Sequence, residues 1–179
     1  MRPEEVDLSR VAPLFVPATF AAVGNWPGPI DRLKATEVAL TWAVMTPNQT
    51  MEYVSREMVS YWKSRGLDWK ALAMQNLRDH SEDAWTHVMA RSNGEIFAVI
   101  LMHPDGIGPS RLLLADLFSG LFPNGYQVGL PEMSCGVAFS TRLDDSERAS
   151  VETLIQNCYA DGTRPLSPTL YLPEALRPL

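Results

Sequence analysis

The feature that most constrains the fold of this chain is an Asn-Gly pair set between two apolar runs. Residues 84–91 and 95–103 form the runs, and Asn93 and Gly94 lie between them. This combination is typical of a hairpin with a two-residue type I′ turn, because both central residues of that turn take positive φ. The sequence therefore predicts two antiparallel strands joined at Asn93 and Gly94.

A two-residue loop also fixes how the strands pair, because the register is counted outwards from the turn. The expected pairs are Ser92–Glu95, Met89–Ala98, His87–Ile100 and Trp85–Met102. Both faces of the predicted hairpin carry mainly apolar side chains. We therefore expect the hairpin to lie at the centre of a sheet, covered on both sides, with Ile100 fully buried.

Hydrophobic periodicity predicts the elements on either side of the hairpin. Apolar residues alternate between Thr36 and Thr46, which favours a strand, and they recur at helical spacing in several other stretches. We expect a first helix from Asn48 to Gly66 and a second one that begins after a cap at Asp68. A third is expected from Arg111 to Leu121, after a cap at Ser110, and a fourth from Ser146 to Tyr159. Further strands are expected at Tyr126–Leu130, Cys135–Phe139 and Thr169–Leu172.

The predicted order is β-α-α-β-β-α-β-β-α, with an optional last strand. Because hairpins dominate it, we expect an α+β fold in which helices pack on a mainly antiparallel sheet. A length of 179 residues suits a single domain over residues 1–179. Within it, the prolines of residues 1–35 predict an irregular segment, and residues 163–179 are expected to form an extended Pro-rich tail.

Composition narrows the classes of function. Lys and Arg number 15 against 21 Asp and Glu, a net charge of −6, which disfavours binding to nucleic acid. No apolar run approaches the roughly 18 residues that span a bilayer, and residues 1–7 are charged rather than apolar. Cys135 and Cys158 are the only two cysteines, without metal-ligand spacing around them. We expect a cytoplasmic protein with reduced thiols and with no metal, cofactor, nucleic acid or membrane partner.

Three short motifs follow one another along the chain. They are Trp69-Lys-Ala-Leu-Ala-Met-Gln-Asn-Leu77, Asp105-Gly106 leading to Ser110-Arg-Leu-Leu-Leu-Ala-Asp116, and Gly125-Tyr-Gln-Val-Gly-Leu-Pro131. Their order, over about Thr36 to Leu172, resembles an uncharacterised bacterial family with an Ala-x-x-Asn-Leu helix, an Asp-Gly-x-x-x-Ser-x-Leu-Leu turn and helix, and a strand ending in Val-Pro-x-Arg-Asp. The resemblance implies an α+β fold and carries no activity. Where the family has Arg-Asp, this chain has Glu132-Met133-Ser134.

His103 and Asp105 are the candidate catalytic residues. His103 ends a predicted central strand and Asp105 follows two residues later, so imidazole and carboxylate can meet at the sheet edge and serve as a general base. The other two histidines have structural interpretations. We expect His80 to cap the end of a helix and His87 to be a core residue with one hydrogen bond.

The candidate partner-binding residues are Trp26, Asp105, Glu132, Asp144 and Asp145. Trp26 lies in a Pro/Gly-rich loop, where an aromatic side chain either folds back onto the core or anchors a partner. The acids lie in predicted loops or at a helix start, where they would steer a basic partner. The sequence therefore favours a non-enzymatic, acidic protein-binding domain, one form of which is a bacterial immunity-type protein that masks a toxin. The alternative is a small hydrolase-like bacterial enzyme that uses His103 and Asp105.

Overall fold

The computed structural model describes residues 2–22, 26–35, 37–46, 50–82 and 87–179, which form four α-helices and nine strands. The strands are β1 Val11–Pro17, β2 Asp31–Arg32, β3 Val38–Met45, β4 Met51–Tyr53, β5 His87–Ala90, β6 Ile96–Leu101, β7 Tyr126–Glu132, β8 Cys135–Ser140 and β9 Leu170–Tyr171. The helices are α1 Arg56–Ser64, α2 Trp69–Asp79, α3 Ala115–Ser119 and α4 Asp145–Asp161. The α+β class predicted from the sequence is confirmed.

The strands form two antiparallel sheets, where the sequence suggested one. In the first sheet β3 pairs with β1, β2 and β4. The second sheet has the strand order β5-β6-β8-β7-β9. The predicted strands at Tyr126, Cys135 and Thr169 all lie in this second sheet, as β7, β8 and β9.

The expectation that residues 1–35 are irregular is wrong for β1. Val11 and Val16 are completely buried there, and Pro13 pairs with Trp42 of β3. Proline lacks a backbone N–H, but β1 is an edge strand, and an edge position tolerates that loss. The prolines therefore mark the edge of a sheet rather than an irregular segment.

The helix predicted to open at Asn48 begins later. Residues Met51–Tyr53 pair with β3, and α1 begins after Ser55, whose hydroxyl accepts a hydrogen bond from the Met58 N–H at 3.2 Å. Met58 and Trp62 form the buried face of α1. Asn48 itself lies outside the described residues. A strand can therefore occupy the first part of an apolar pattern that has helical spacing.

The helix predicted over 111–121 is also replaced. A 3-10 helix, Pro109–Leu113, and the short α3 stand there, separated by Leu114 with φ −91° and ψ 73°. Ser110 does not cap a helix, because its hydroxyl donates to the carbonyl of Pro13 at 2.6 Å. This contact joins the 3-10 helix to β1.

The predicted cap at Asp68 is confirmed, and Asp144, predicted only as an acid at a helix start, is also a cap. Asp68 accepts a hydrogen bond from the Ala71 N–H at 3.2 Å at the start of α2. Asp144 accepts one from the Glu147 N–H at 2.8 Å at the start of α4. Both carboxylates satisfy N–H groups that have no partner inside the helix.

The predicted hairpin forms, but through a three-residue loop. The Gly94 N–H donates to the Arg91 carbonyl and the Arg91 N–H to the Glu95 carbonyl, both at 2.9 Å. Gly94 has φ +85°. A turn followed by a left-handed glycine is the usual form of such a loop.

A β-bulge restores the predicted register beyond the loop. The observed pairs are His87–Ile100, Val88–Val99, Met89–Ala98 and Ala90–Ile96. Phe97 is the extra residue, and the bulge places Phe97 in the core beside α4 and Ile96 in the core between the sheets. Strict alternation would put them the other way round. The predicted partner of Met102, Trp85, lies outside the described residues.

The hairpin is not central, contrary to expectation. Within the described ranges β5 pairs only with β6, and Val88 of β5 is 46% exposed. Ile100 is only partly buried, whereas its neighbours Val99 and Leu101 are completely buried. Only β6 has the interior position that the apolar faces predicted.

The core has four zones: one between the sheets, one beneath α1 and α2, one beneath α4, and one around Ala12, Leu14 and Leu77 on the other face of β1. The zone between the sheets includes Phe15, Leu40, Val99, Leu101 and Val128. The zone beneath α1 and α2 includes Trp42, Val44, Met58, Trp62 and Trp69. The zone beneath α4 includes Phe97, Val137, Phe139, Val151 and Ile155. None of the described helices combines the length and apolar character needed to cross a bilayer.

Candidate functional site

A groove of about 940 Å³ opens between α2, the 3-10 helix Pro109–Leu113, α3 and the C-terminal segment; we call it the central groove. Its apolar floor includes Leu40, Trp42, Met74, Leu112, Leu113 and Tyr126. Its charged rim consists of Asp31, Asp68, Lys70, Asp116, Glu174 and Arg177. An apolar concavity with a few charged groups around it is the usual form of a binding site.

The floor is built by elements far apart in the chain. Leu40 and Trp42 come from β3 of the first sheet, and Tyr126 comes from β7 of the second. The Tyr126 hydroxyl donates to the carbonyl of Ala115 at 3.4 Å, which links β7 to α3. The groove therefore lies where the two sheets, α2 and α3 meet.

Lys70 and Asp31 form an ion pair on the rim. The Lys70 Nζ lies 2.6 Å from each oxygen of the Asp31 carboxylate, to which the Trp42 Nε1 also donates at 3.2 Å. The same Nζ lies 5.5 Å from the ring centroid of Trp42 and 5.7 Å from that of Trp69. A carboxylate beside aromatic faces is an environment that attracts ammonium groups. The rim thus holds one ammonium group already, that of Lys70.

A second ion pair on the rim ties α2 to α3. Arg78 donates two hydrogen bonds to the Asp116 carboxylate, at 2.5 and 3.1 Å. These bonds hold the pKa of Asp116 below its usual value. Both side chains are about half exposed, so the pair fixes the position of the rim more than it stabilises the fold.

Glu37 holds the C-terminal wall of the groove in place. Its carboxylate accepts hydrogen bonds from the hydroxyls of Ser167, Thr169 and Tyr171, those of Thr169 and Tyr171 at 2.9 and 2.8 Å. These bonds, with that of Ser167 the largest, lower the pKa of Glu37. We call this set of contacts the Glu37 clasp. The chain continues from it directly into residues 173–179, all of which except Ala175 line the groove.

His103 and Asp105 meet at a separate place. The His103 Nδ1 lies 3.0 Å from an Asp105 oxygen, and the completely buried Arg111 donates to both Asp105 oxygens, at 2.6 and 3.3 Å. Arg111 also donates to the His80 carbonyl at 2.6 Å. Burial raises the pKa of Asp105, but the hydrogen bonds from Arg111 and from the Ile107 N–H and the charge of Arg111 outweigh it and lower that pKa.

The cavity beside this cluster is small. It measures about 130 Å³ and is lined by His80 and Asp105 among others. Ligand pockets are usually about 300–1,000 Å³. Asp105 therefore serves chiefly as the counter-ion of buried Arg111, and it also orients the imidazole of His103.

Glu132 is buried and engaged in the turn between β7 and β8. It is 5% exposed and accepts hydrogen bonds from the N–H groups of Ser134 and Arg164, at 2.5 and 3.2 Å. These contacts join the β7–β8 turn to the segment that follows α4. The residue standing where the resembled family has Arg-Asp thus has a structural role here.

The other candidate partner-binding residues are spread over the surface. Asp144 caps α4, and Asp145 is exposed beside it. Trp26 is partly buried and folds back against Phe20 and Tyr53, with ring centroids 5.0 and 4.6 Å away. In the described part of the chain, none of the five residues lines the central groove.

Of the predictions for the two remaining histidines, one is confirmed and one is wrong. His80 ends α2 as predicted, with its Nδ1 2.7 Å from the carbonyl of Asn76. The expectation that His87 lies in the core is wrong, because β5 is an edge strand and His87 is exposed. Among the described residues, no three His, Cys, Asp or Glu side chains converge as metal ligands would.

Of the residues that line the central groove, only Asp116 was among the acids that the sequence suggested for partner binding. Asp31 and Lys70 are separated by 39 positions, and the floor draws on both sheets. No local spacing encodes a surface assembled from so many segments. Trp42 carried the one local signal, since an indole N–H in a buried strand needs a polar partner nearby.

No family model matches this chain, and neither a curated protein nor a solved structure shows significant similarity to it. The resemblance to an uncharacterised bacterial family therefore stays a prediction.

Proposed function

We propose that this protein is a non-enzymatic binding domain whose central groove takes a basic, partly apolar segment of another protein. The observation that carries the proposal is the combination of an apolar floor with a mainly acidic rim in one concavity of about 940 Å³. Grooves of this kind bind amphipathic segments by burying their apolar side chains.

The rim favours a positively charged occupant. Four acidic side chains line it, Asp31, Asp68, Asp116 and Glu174, against the two bases Lys70 and Arg177, with Arg78 beside Asp116 as a third base. The chain as a whole carries a net charge of −6. An acidic rim on an acidic protein accelerates association with a basic partner and makes it sensitive to salt.

The contacts of Lys70 support a positively charged occupant. The ammonium group of Lys70 is held by the Asp31 carboxylate and lies near two indole rings. A lysine or arginine of a partner would share these groups with Lys70 at the edge of the groove. An immunity-type protein, which covers the basic active site of a toxin, is one form that such a function would take.

The test uses a short synthetic peptide of alternating lysine and leucine, followed by NMR of backbone and indole N–H groups. We expect shifts at Trp42 and Leu113, and affinity that falls as salt is added. The matched peptide with glutamate in place of lysine should bind at least about tenfold more weakly. A small apolar cation, decyltrimethylammonium, is the third probe.

Two exposed alanines on helices provide matched variants. Ala71→Arg places a bulky cation on the groove wall, whereas Ala149→Arg does the same on α4, away from the groove. We expect Ala71→Arg to weaken binding of the lysine-leucine peptide and Ala149→Arg to leave that binding unchanged. Equal binding of both peptides, shifts outside the groove, or binding of the small cation alone would overturn the proposal.

A second candidate function depends on the 3.0 Å contact of His103 with Asp105. A carboxylate-oriented imidazole is the arrangement of a general base, which fits a hydrolase-like enzyme. On a panel of p-nitrophenyl esters, His103→Ala should then lower the rate by roughly 10²-fold, whereas His87→Ala on exposed β5 should not. Equal rates in both variants would exclude this function.

A further inference from the structure

Two free thiols face each other between β8 and α4. Cys135, the first residue of β8, is 2% exposed, and Cys158 in α4 is partly exposed. The Sγ atoms are 3.7 Å apart, with the Cys135 thiol donating to the Cys158 sulfur. A disulfide bond is about 2.05 Å long, so a shift of under about 2 Å would bring the two atoms to bonding distance.

The surroundings give the two thiols different roles. Burial, and next the proximity of Cys158, raise the pKa of the Cys135 thiol far above its usual value. A thiolate is the nucleophile in thiol chemistry, so Cys135 is a poor first reactant. Cys158 reaches solvent and meets an oxidant first. The buried partner then lies beside the sulfur that has reacted.

We infer that Cys135 and Cys158 form a reversible intramolecular disulfide when the protein meets a hydroperoxide. The Cys158 thiolate attacks one peroxide oxygen, the O–O bond breaks, and Cys158 becomes a sulfenic acid while water is released. The Cys135 sulfur then attacks the Cys158 sulfur, the S–O bond breaks, and a second water carries away the thiol proton. Two thiols and one hydrogen peroxide thus yield one disulfide and two waters.

The disulfide would tie the end of α4 to the second sheet. α4 already packs there through Val151 and Ile155, so the bond fixes an existing contact. A cross-link that closes a loop of this length restricts the unfolded chain. We expect oxidation to raise the Tm by roughly 5–10 °C, and a thiol reductant to reverse the rise.

The experiment treats the folded protein with hydrogen peroxide and measures intact mass, Tm and a peptide map without reductant. We expect a mass loss of two hydrogen atoms, a peptide pair linked through Cys135 and Cys158, and full reversal by dithiothreitol. Cys135→Ala, which keeps the more exposed thiol, should instead give a sulfenic acid on Cys158 that dimedone traps.

Three results would overturn the inference. They are sulfinic acid on Cys158 with Cys135 still reduced, a disulfide between two chains, and no reaction of the folded protein under conditions that oxidise the urea-unfolded chain. Cys158→Ala removes the thiol that reacts first, so oxidation of that variant as fast as the wild type would also contradict the assigned order.

Discussion

The completely buried guanidinium of Arg111 and the carboxylate of Asp105 form a two-point ion pair, with N–O distances of 2.6 and 3.3 Å. The pair joins the loop after β6 to the 3-10 helix that supplies part of the groove floor. Arg111 depends on Asp105 for its charge balance, because a buried cation without a counter-ion is costly. The geometry of the groove thus depends on a residue that does not line it.

Asp105→Asn should destabilise the protein by about 3–5 kcal/mol, because it leaves Arg111 buried without a counter-ion. Arg111→Met should cost less, since Asp105 is 26% exposed and can be hydrated. Urea unfolding of both variants and of the double variant measures the difference. A larger loss in Arg111→Met would contradict the argument.

The Glu37 clasp should make the groove sensitive to acid. The pKa of Glu37 in the folded protein lies below its ordinary value of 4.5, so the clasp is intact above that pH and is lost as the pH falls towards the folded pKa. Tyr171→Phe removes one donor and should raise the Glu37 pKa, as measured by ¹³C NMR titration. An unchanged pKa in that variant would mean that the Tyr171 hydroxyl does not stabilise the carboxylate.

Gly94→Ala should cost about 1–2 kcal/mol, because Gly94 has φ +85° and a side chain is strained there. The space around it is open, so the backbone alone sets the cost. Gly120→Ala is the matched control, since Gly120 has φ −71° and equally open space. It should stabilise the protein by up to about 1 kcal/mol. Equal thermal midpoints for the two variants would disprove the turn geometry.

The contact of α4 with β7 should show compensation between two substitutions. A Cβ on Gly129 would lie 2.7 Å from the Cδ1 of Ile155, so Gly129→Ala should cost about 1–3 kcal/mol by overpacking. Ile155→Val removes that methyl group and costs about 0.5–1.5 kcal/mol alone. The double variant should be no less stable than Gly129→Ala. If the losses of stability of the two single variants add up in the double variant, the Ile155 side chain of α4 does not lie against Gly129 of β7.

Substitution of the two neighbouring acids at the start of α4 should have different effects on stability. Asp144→Ala removes the cap on the Glu147 N–H and should cost about 0.5–2 kcal/mol. Asp145→Ala, at an exposed position without a cap bond, should cost at most a few tenths of a kcal/mol. Melting both variants in parallel tests this. If Asp145→Lys also slows association with the partner, the partner contacts this end of α4 as well as the groove.

The sequence by itself determined the elements whose signals are local. The Asn93-Gly94 turn gave a hairpin, Asp68 and Asp144 marked helix starts, and alternation located β7 and β8, because caps and turns satisfy backbone groups of their immediate neighbours. The register of Met89 against Ala98 was also predicted correctly. That agreement needed a compensation, since the loop is one residue longer than expected and the bulge at Phe97 takes up the difference.

The tertiary structure alone decided what each element faces. Residues 11–17, with two prolines, become a buried edge strand because β3 lies beside them, and Ile100 is only partly buried in a hairpin that lies at the edge of its sheet. The groove, the Glu37 clasp and the pair Cys135–Cys158 join segments far apart in the chain. Such contacts arise from the packing of the sheets and helices against one another, which depends on the whole chain at once. Local signals, by contrast, depend on only a few adjacent residues.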